Sequence, residues 1–374
     1  MRKRSDKVKV ILVVGARPNF MKAAPIIQAL RKYLDEIEHI LVHTGQHYDF
    51  VMSQIFFQDL QLPQPDEYLN VGSGTHAEQT ARTMIAFDRV VQEVCPKLVI
   101  VVGDVNSTLA CALVCAKRGV DIAHVEAGVR SFDMAMPEEV NRLLTDQVAR
   151  ILFTPSQDAN DNLAREGIPP ERIHFVGNVM IDSLMASVAQ IERREILTSL
   201  DLNGKPYVLI TLHRPSNVDN PDHLGVLLDS MAKLANGVAV VFSIHPRTRK
   251  RIQEFGFSGH LEQVANLYPI ESLGYLDFLA LMKSADVVLT DSGGVQAETT
   301  FLGVPCVTVR PSTEWLVTLT SGTNQLVDCN QGEIIAVVET LLNNPIQKHS
   351  IPTMWDGRTA ERIVEVLKQC YGEG

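Results

Sequence analysis

Between His124 and Arg142 the chain reads HVEAGVRSFDMAMPEEVNR, and this stretch holds Glu126, Arg130, Glu138, Glu139 and Arg142. Carboxylates and guanidinium groups gathered this closely do one of two things. They pair and pin a loop, or they move protons and hold an anion. The flanking residues say where they stand. An apolar run, residues 120–125, leads in, and PEEVNRLLTDQVAR leads out as a helix. Pro137 suits the first helical position, where its missing N–H has no partner to lose. Glu138 and Arg142 are four apart and share one helix face, whereas Leu143, Leu144 and Val148 can turn to the core. Charge at the end of a buried strand is costly unless it is paired or used.

Other strand ends carry similar groups. GARPNFMK follows the first apolar run. Gly15 permits a tight turn, and Arg17 and Lys22 bring two cations to the positive end of a helix, a site for phosphate or carboxylate. In GDVNST, Asp104 closes a strand; it can face a ligand or cap the next helix, and the capping role suits Ser107 best. HTGQHYD holds His43 and His47 without a complete ligand set, so no metal site is expected. TLHRPSN ends a strand with His213 and Arg214, and SIHPRTR ends the next with His245, Arg247 and Arg249. Two strand-end histidines, each followed within two residues by arginine, fit an anion site. In DSGGVQAE, Ser292, Gly293 and Gly294 open a helix directly after a strand, leaving backbone N–H groups for phosphate oxygens. Glu298 follows one turn in, within reach of ribose hydroxyls. Neither a Walker loop nor the glycine-rich dinucleotide fingerprint is present, so no cofactor is expected.

Positioning such groups takes short buried strands alternating with helices. Strands are expected at KVKVILVVG, 38–43, LVIVVGD, VDIAHVE, 151–153 and 173–176, with helices at 19–33, 49–58, 77–94 and 107–118. The second half repeats the pattern: PYVLITLH, VAVVFSIH, SADVVLT and GVPCVTV as strands, with helices at 221–235, after Arg247, after DSGG and at 358–370. Continuous apolar strands between helices mean parallel sheets covered on both faces. The expected class is α/β: two doubly wound Rossmann-like domains facing a cleft, which takes a ligand at the carboxyl ends of the strands. A polar, helical stretch, 177–204, is the expected junction. The first domain then comprises 1–177 with the last helix, 358–374, and the second 178–357.

At 374 residues the chain is long enough for two domains, and an apolar content of 45% supplies their cores. A formal charge of −10 with no basic stripe argues against nucleic acid as a partner, though not against an anionic small ligand. No window reaches membrane-spanning length, and the first apolar strand is too short for a signal-peptide core. Six cysteines are scattered without CxxC spacing, and Cys111 and Cys115 suit core packing on one helix. This is a reduced, cytoplasmic pattern.

The motifs GARPNFMK, HTGQH, GDVNST, HVEAGVRS, MPEEVNR, GNVMID, LHR and TDSGGVQAE stand in the order found in the non-hydrolysing UDP-N-acetylglucosamine 2-epimerases, which the chain resembles from Val10 to its DGRTAERIVEVL tail. The resemblance implies a glycosyltransferase-B-like fold and a homodimer without a redox cofactor. It implies interconversion of UDP-N-acetylglucosamine and UDP-N-acetylmannosamine through a 2-acetamidoglucal, for surface polysaccharide precursors. It makes Asp104, Glu126, Glu138 and His213 catalytic, and Arg17, Lys22 and Arg142 part of the active site. Ser292, Gly293, Gly294 and Glu298 become the UDP site and Phe278 an aromatic beside the uracil; His245 and Arg247, from their strand-end place alone, are expected as further substrate contacts. Trp315 departs from the family's usual TERPE segment, where an arginine stands. A tryptophan there also resembles relatives that epimerise UDP-2,3-diacetamido-2,3-dideoxyglucuronate. That substrate needs an extra cation, and Arg247 or Arg310 is the candidate. A glycosyltransferase of the same fold is a further alternative. Tyr48 and Asp49 stand where some relatives carry an activating second site, so activation is not expected.

Overall fold

Seven residues, Val8–Val14, form strand β1, five of them buried, because an unbroken apolar run can be covered on both faces only inside a parallel sheet. The computed structural model describes residues 7–45, 57, 59–259, 264–344 and 349–372. The chain divides into two compact units, Met1–Ala186 with Thr353–Gly374, and Ser187–Pro352.

In the first unit β1 is followed by α1 (Arg17–Leu30), β2 (Ile37–His43), β3 (Glu67–Tyr68), α2 (His76–Val94), β4 (Leu98–Val102), α3 (Asn106–Arg118), β5 (Asp121–Val125), α4 (Pro137–Val148), β6 (Ile151–Thr154), α5 (Gln157–Arg165), β7 (Ile173–Phe175) and α6 (Val179–Ile191). The sheet order is β3-β2-β1-β4-β5-β6-β7, all parallel. β1 thus lies between β2 and β4, so the chain reverses its direction of travel across the sheet there. Loops leaving β1 and β4 diverge at such a point and open a crevice at their carboxyl ends. Ile11, Val13, Val99, Val101, Cys111 and Cys115 share one core beneath α2 and α3.

The second unit repeats the device with β8 (Tyr207–Thr211), α7 (Pro221–Leu234), β9 (Ala239–Ile244), α8 (Pro246–Glu254), β10 (Leu267–Glu271), α9 (Tyr275–Ser284), β11 (Val287–Thr290), α10 (Gly293–Leu302), β12 (Cys306–Val309), β13 (Asn324–Val327) and α11 (Gln331–Asn343). Its order is β10-β9-β8-β11-β12-β13, again parallel, with the reversal between β8 and β11. The last helix, α12 (Thr359–Tyr371), belongs to the first unit. Asp182 on α6 accepts the N–H groups of Thr359 and Ala360 at 3.2 and 2.7 Å, capping that helix from another element. Trp355 is buried and donates its indole N–H to the Pro155 carbonyl at 2.8 Å. Among the described residues no helix is long and apolar enough to cross a membrane.

Several elements depart from expectation. α1 begins at Arg17, before Asn19. The stretch after Gly177 opens with α6, whose Val179, Met180, Ile181 and Leu184 are buried, so the expected polar junction is an apolar helix at its start. Strand β10 contains Pro269, which argues against a strand in sequence. The structure accommodates it because β10 is an edge strand, where an N–H has no ladder partner to lose. The expected helix at 49–58 lies outside the described residues except for Phe57.

Candidate active site

Two catalytic candidates of the first unit, Asp104 and Glu126, stand at strand ends, and the third, Glu138, stands in the first turn of α4. Asp104 follows Gly103 at the end of β4, and Glu126 is the first residue after β5. Gly103 has φ +67, and a Cβ there would lie 2.8 Å from Lys22 Nζ and 3.8 Å from Glu126 Oε1. The left-handed backbone favours glycine, and a side chain here would crowd the Lys22 ammonium. Lys22 projects from α1 and donates to Glu126 Oε1 at 2.6 Å. Both side chains are almost wholly buried. The other carboxylate oxygen, Oε2, is buried without a hydrogen-bond partner. Burial pushes the Glu126 carboxyl above the ordinary range; Lys22 opposes this, and Asp104 adds to it. Glu126 also has φ +74, a costly backbone state for a residue with a Cβ.

Asn19 holds the turn after β1. Its Oδ1 accepts the N–H groups of Gly15 and Ala16 at 3.0 Å each, and its Nδ2 donates to the Val102 carbonyl at 2.9 Å. Gly15 is needed for close approach, since a Cβ there would lie 2.0 Å from Ser107 Oγ. Ser107 does not cap α3: the helix begins at Asn106 and has Val105 as its cap residue, without a side-chain cap bond. Arg17 opens α1, and its side chain lies outside the described residues.

Arg142 corrects the helix-face expectation. It is buried, and its partners are Glu139 at 2.7 Å and Asp104 at 2.5 Å. Three residues of α-helix place Glu139 and Arg142 on one face as well as four would. Glu139 is buried and also accepts from the backbone N–H groups of Ser131 and Phe132 at 3.0 and 2.9 Å. Burial alone would raise its carboxyl, but these donors together with Arg142 hold it below the ordinary range. Glu138 is half-buried and makes no hydrogen bond or ion pair with the described residues. Leu144, expected in the core, is 46% exposed, because the buried face of α4 is taken by Glu139, Asn141, Arg142, Thr145 and Asp146.

The second unit assembles a different chemistry. His213 follows β8, and Asp291 follows β11, the neighbouring strand. Asp291 is fully buried and accepts the backbone N–H groups of His213 and Arg214 and the Asn217 amide at 2.9–3.1 Å. Its Oδ1 lies 3.2 Å from His213 Nδ1. Although burial would raise it, His213, the Arg214 N–H and Asn217 keep the Asp291 carboxyl low. The ring of His245 lies 5.3 Å from that of His213. Arg247 is not drawn to them. It is exposed and paired with Asp219, as is Arg251, while Arg249 pairs with Glu271. Ser292, Gly293 and Gly294 form the start of α10, whose first N–H groups lie beyond the reach of intrahelical acceptors. A Cβ on Gly293 would meet Glu314 Oε1 at 2.4 Å, so the Thr313–Trp315 segment packs directly on this helix start. Trp315 is buried there, and Glu314 is paired with Arg310 at 2.7 Å. Phe278 is half-buried on α9.

Glu298, also on α10, is buried and accepts from Tyr275 Oη at 3.0 Å. Burial pushes its carboxyl up to about 7 in spite of that bond. A raised carboxyl favours folding in its protonated form, so this contribution is complete below the unfolded value near 4.5 and is lost as pH rises through about 7. Glu298→Gln cannot ionise. Between pH 4 and 8 its stability relative to the parent is expected to rise by about 3 kcal/mol, read from urea midpoints. A difference that stays constant over that range would show that Glu298 is not held protonated.

His43 is buried and stacked on Tyr68, with Nδ1 accepting the Gly45 N–H at 2.9 Å; His47 lies outside the described residues. No group of three or more His, Cys, Asp or Glu among the described residues is placed to hold a metal ion. Sequence reasoning passed over Glu139, Asp146 and Asp291. The signal for Glu139 was present, as an i,i+3 pair with Arg142, but the pairs of Asp146 and Asp291 join residues far apart in the chain.

Comparison with known proteins adds to this geometry. The family model described as UDP-N-acetylglucosamine 2-epimerase matches residues 28–368. The UDP-N-acetylglucosamine 2-epimerase of Methanocaldococcus jannaschii is 42% identical over 98% of this chain and 100% of its own length. Its crystal structure in complex with UDP-GlcNAc and UDP superposes with a TM-score of 0.90 over 97% of this chain and 100% of that one. The UDP-2,3-diacetamido-2,3-dideoxy-D-glucuronate 2-epimerase of Pseudomonas aeruginosa is 41% identical over 96% of this chain and 99% of its own. The crystal structure of the Neisseria meningitidis UDP-GlcNAc 2-epimerase bound to UDP-GlcNAc, 29% identical, superposes with a TM-score of 0.88 over 97% of this chain and 100% of that one. The two superposed structures share the two-sheet Rossmann-like architecture seen here.

Proposed function

The chain belongs to the UDP-N-acetylglucosamine 2-epimerase family, and on that premise we propose that it interconverts UDP-N-acetylglucosamine and UDP-N-acetylmannosamine, removing UDP from the sugar and adding it back. The observation that carries this reading is the Lys22–Glu126 pair beside Asp104 and Arg142: a buried carboxyl with raised proton affinity and one oxygen left open.

The sugar C2–H is a poor acid. Breaking the anomeric C–O bond places positive charge at C1 and acidifies C2–H, so loss of UDP and of the proton leaves a 2-acetamidoglucal. Protonation of C2 on the opposite face, with UDP returning to C1, inverts that centre. The start of α10 at Ser292–Gly294 and His213 receive the charge of the departing pyrophosphate, supported by His245. Glu298 bonds the ribose hydroxyls, with Tyr275 setting its orientation, and Phe278 lies along the uracil. Asp104, Glu126 and Glu138 serve proton transfer at C2. Among these carboxyls Glu126 has its proton affinity raised, by burial first and by Asp104, with Lys22 opposing. Arg142 keeps Asp104 in place.

The substrate of the Pseudomonas relative carries an additional carboxylate on the sugar. The cations that could receive it, Arg310 and Arg247, are paired with Glu314 and Asp219. That supports the uncharged N-acetylhexosamine as the sugar. The same reading makes the enzyme a cytoplasmic homodimer that supplies a surface-polysaccharide precursor. Free cysteines throughout the described chain support the compartment.

The test is incubation with UDP-N-acetylglucosamine in heavy water, followed by proton NMR. The expected result is loss of the C2 proton signal and appearance of C2-deuterated UDP-N-acetylmannosamine. Retention of the C2 proton with no second epimer would sink the proposal.

A further inference from the structure

A second buried charge cluster lies beneath the carboxylates, and the reaction as described makes no use of it. His124, on β5, is fully buried. Its Nε2 lies 2.8 Å from the Gly103 carbonyl oxygen and its Nδ1 2.6 Å from Asp146 Oδ1. Asp146 is also fully buried, on α4. Its Oδ2 accepts from the Gly128 N–H at 3.0 Å and from Arg130 Nη2 at 2.6 Å. Arg130 is buried in turn and reaches Glu166 with two bonds of 2.8 Å.

Hydrogen-bond logic settles the protons. A carbonyl oxygen only accepts, so Nε2 carries a hydrogen. Asp146 faces Arg130 and a backbone N–H through its other oxygen, an arrangement that suits a carboxylate and not a carboxylic acid. Burial would raise Asp146, but His124, Arg130 and Gly128 together hold it below the ordinary range. Nδ1 must then donate as well, and the ring carries both N–H bonds.

What these bonds hold is specific. Gly103 is the residue before Asp104, at a left-handed turn, and the Lys22–Glu126 pair rests on its Cα. Gly128 and Arg130 lie in the loop that Glu126 opens, also in a left-handed state. Gly128 is gripped from its other side by Asn162, whose amide donates to its carbonyl at 2.9 Å, and a Cβ on it would lie 2.4 Å from the Ala159 carbonyl oxygen. One buried imidazole therefore joins the two strand-end turns that carry Asp104 and Glu126.

We infer that His124 is a positioning residue: it donates from both ring nitrogens, to Gly103 and to Asp146, and so sets the spacing of Asp104 and Glu126 without touching substrate. This rests on the proposed proton-transfer role of those two carboxylates. Displacement of a reacting group by an ångström costs about 100-fold in rate. The effect should fall on turnover, because the helix start and Glu298, which bind UDP, belong to the other unit.

Two measurements test it. Nitrogen-15 NMR of the intact protein at neutral pH, with the resonances assigned by loss in His124→Gln, is expected to show bonded protons on both nitrogens of one buried histidine. A ring with a single bonded proton overturns the inference, and this needs no variant to be active. In kinetics, His124→Asn is expected to lower kcat by about 100-fold with KM changed less than about threefold. His124→Gln, whose longer amide reaches the Gly103 carbonyl, should recover at least about tenfold of that loss. Parent-like kcat in both variants, or equal losses with no recovery in glutamine, overturns the inference. Failure of the parent to epimerise UDP-N-acetylglucosamine would sink the proposed function instead, leaving the NMR result to decide the geometry.

Discussion

Replacing Glu126 or Glu138 by glutamine is expected to lower turnover by about 100- to 10,000-fold or more, the usual contribution of a general acid or base. Glutamine keeps the shape and one accepting oxygen but cannot exchange a proton. At Glu126 the variant still accepts from Lys22 but leaves that buried ammonium without its counter-charge, so its fold is checked by circular dichroism before turnover is read. UDP affinity, measured by calorimetry, should stay the same or rise, since a negative charge is removed from an anion site. The two variants should also differ from each other. The one that has lost the base should fail to exchange C2–H with heavy water, whereas the one that has lost only the acid can still release glucal and UDP. Glu138 is the sharper test, because it has no partner among the described residues and hence no structural work to lose. Near-parent turnover in both variants would make the cluster a pinned loop and no more.

The neighbouring carboxylate should behave in the opposite way. Glu139→Gln is expected to destabilise the protein by about 3–5 kcal/mol, the cost of breaking a buried ion pair from one side. It removes the more buried of the two carboxylates that balance Arg142, leaving Asp104, and weakens the acceptor for two backbone N–H groups. Glu138→Gln should stay within about 0.5 kcal/mol of the parent, as surface substitutions do. Urea denaturation of the two variants side by side decides this. The pH dependence has a definite sign. Glu139 is held low in the folded state, so its contribution is present above the unfolded value near 4.5 and is lost as pH falls through the folded one. The gap between parent and Glu139→Gln should therefore close on acidification. Equal stability of the two variants near pH 7 would show that Arg142 does not depend on Glu139.

The amino-acid sequence by itself determined the alternation of buried strands and helices, because a parallel strand covered on both faces must be an unbroken apolar run. Residues 10–14, 98–102 and 207–210 are such runs. It also determined which motifs stand at strand ends, since GDVNST and DSGG follow a strand directly and HVEAG and TLHR begin in the last residues of one. Elements with weaker local signals escaped: β10 carries a proline that only an edge position tolerates, and β13 is a short strand of mixed character. Tertiary structure alone decided the partners. Glu138 and Glu139 are equally acidic neighbours, and helix geometry lets either reach Arg142. The choice fell to Glu139 because the loop at Ser131 and Phe132 turns its N–H groups toward that side of α4. The pairs Lys22–Glu126 and His124–Asp146, and the grip of Asp291 on His213, join residues 104, 22 and 78 positions apart. Strand order brings such groups within hydrogen-bond range. No local periodicity encodes that order, because it is settled by which buried faces pack together once the whole sheet has formed.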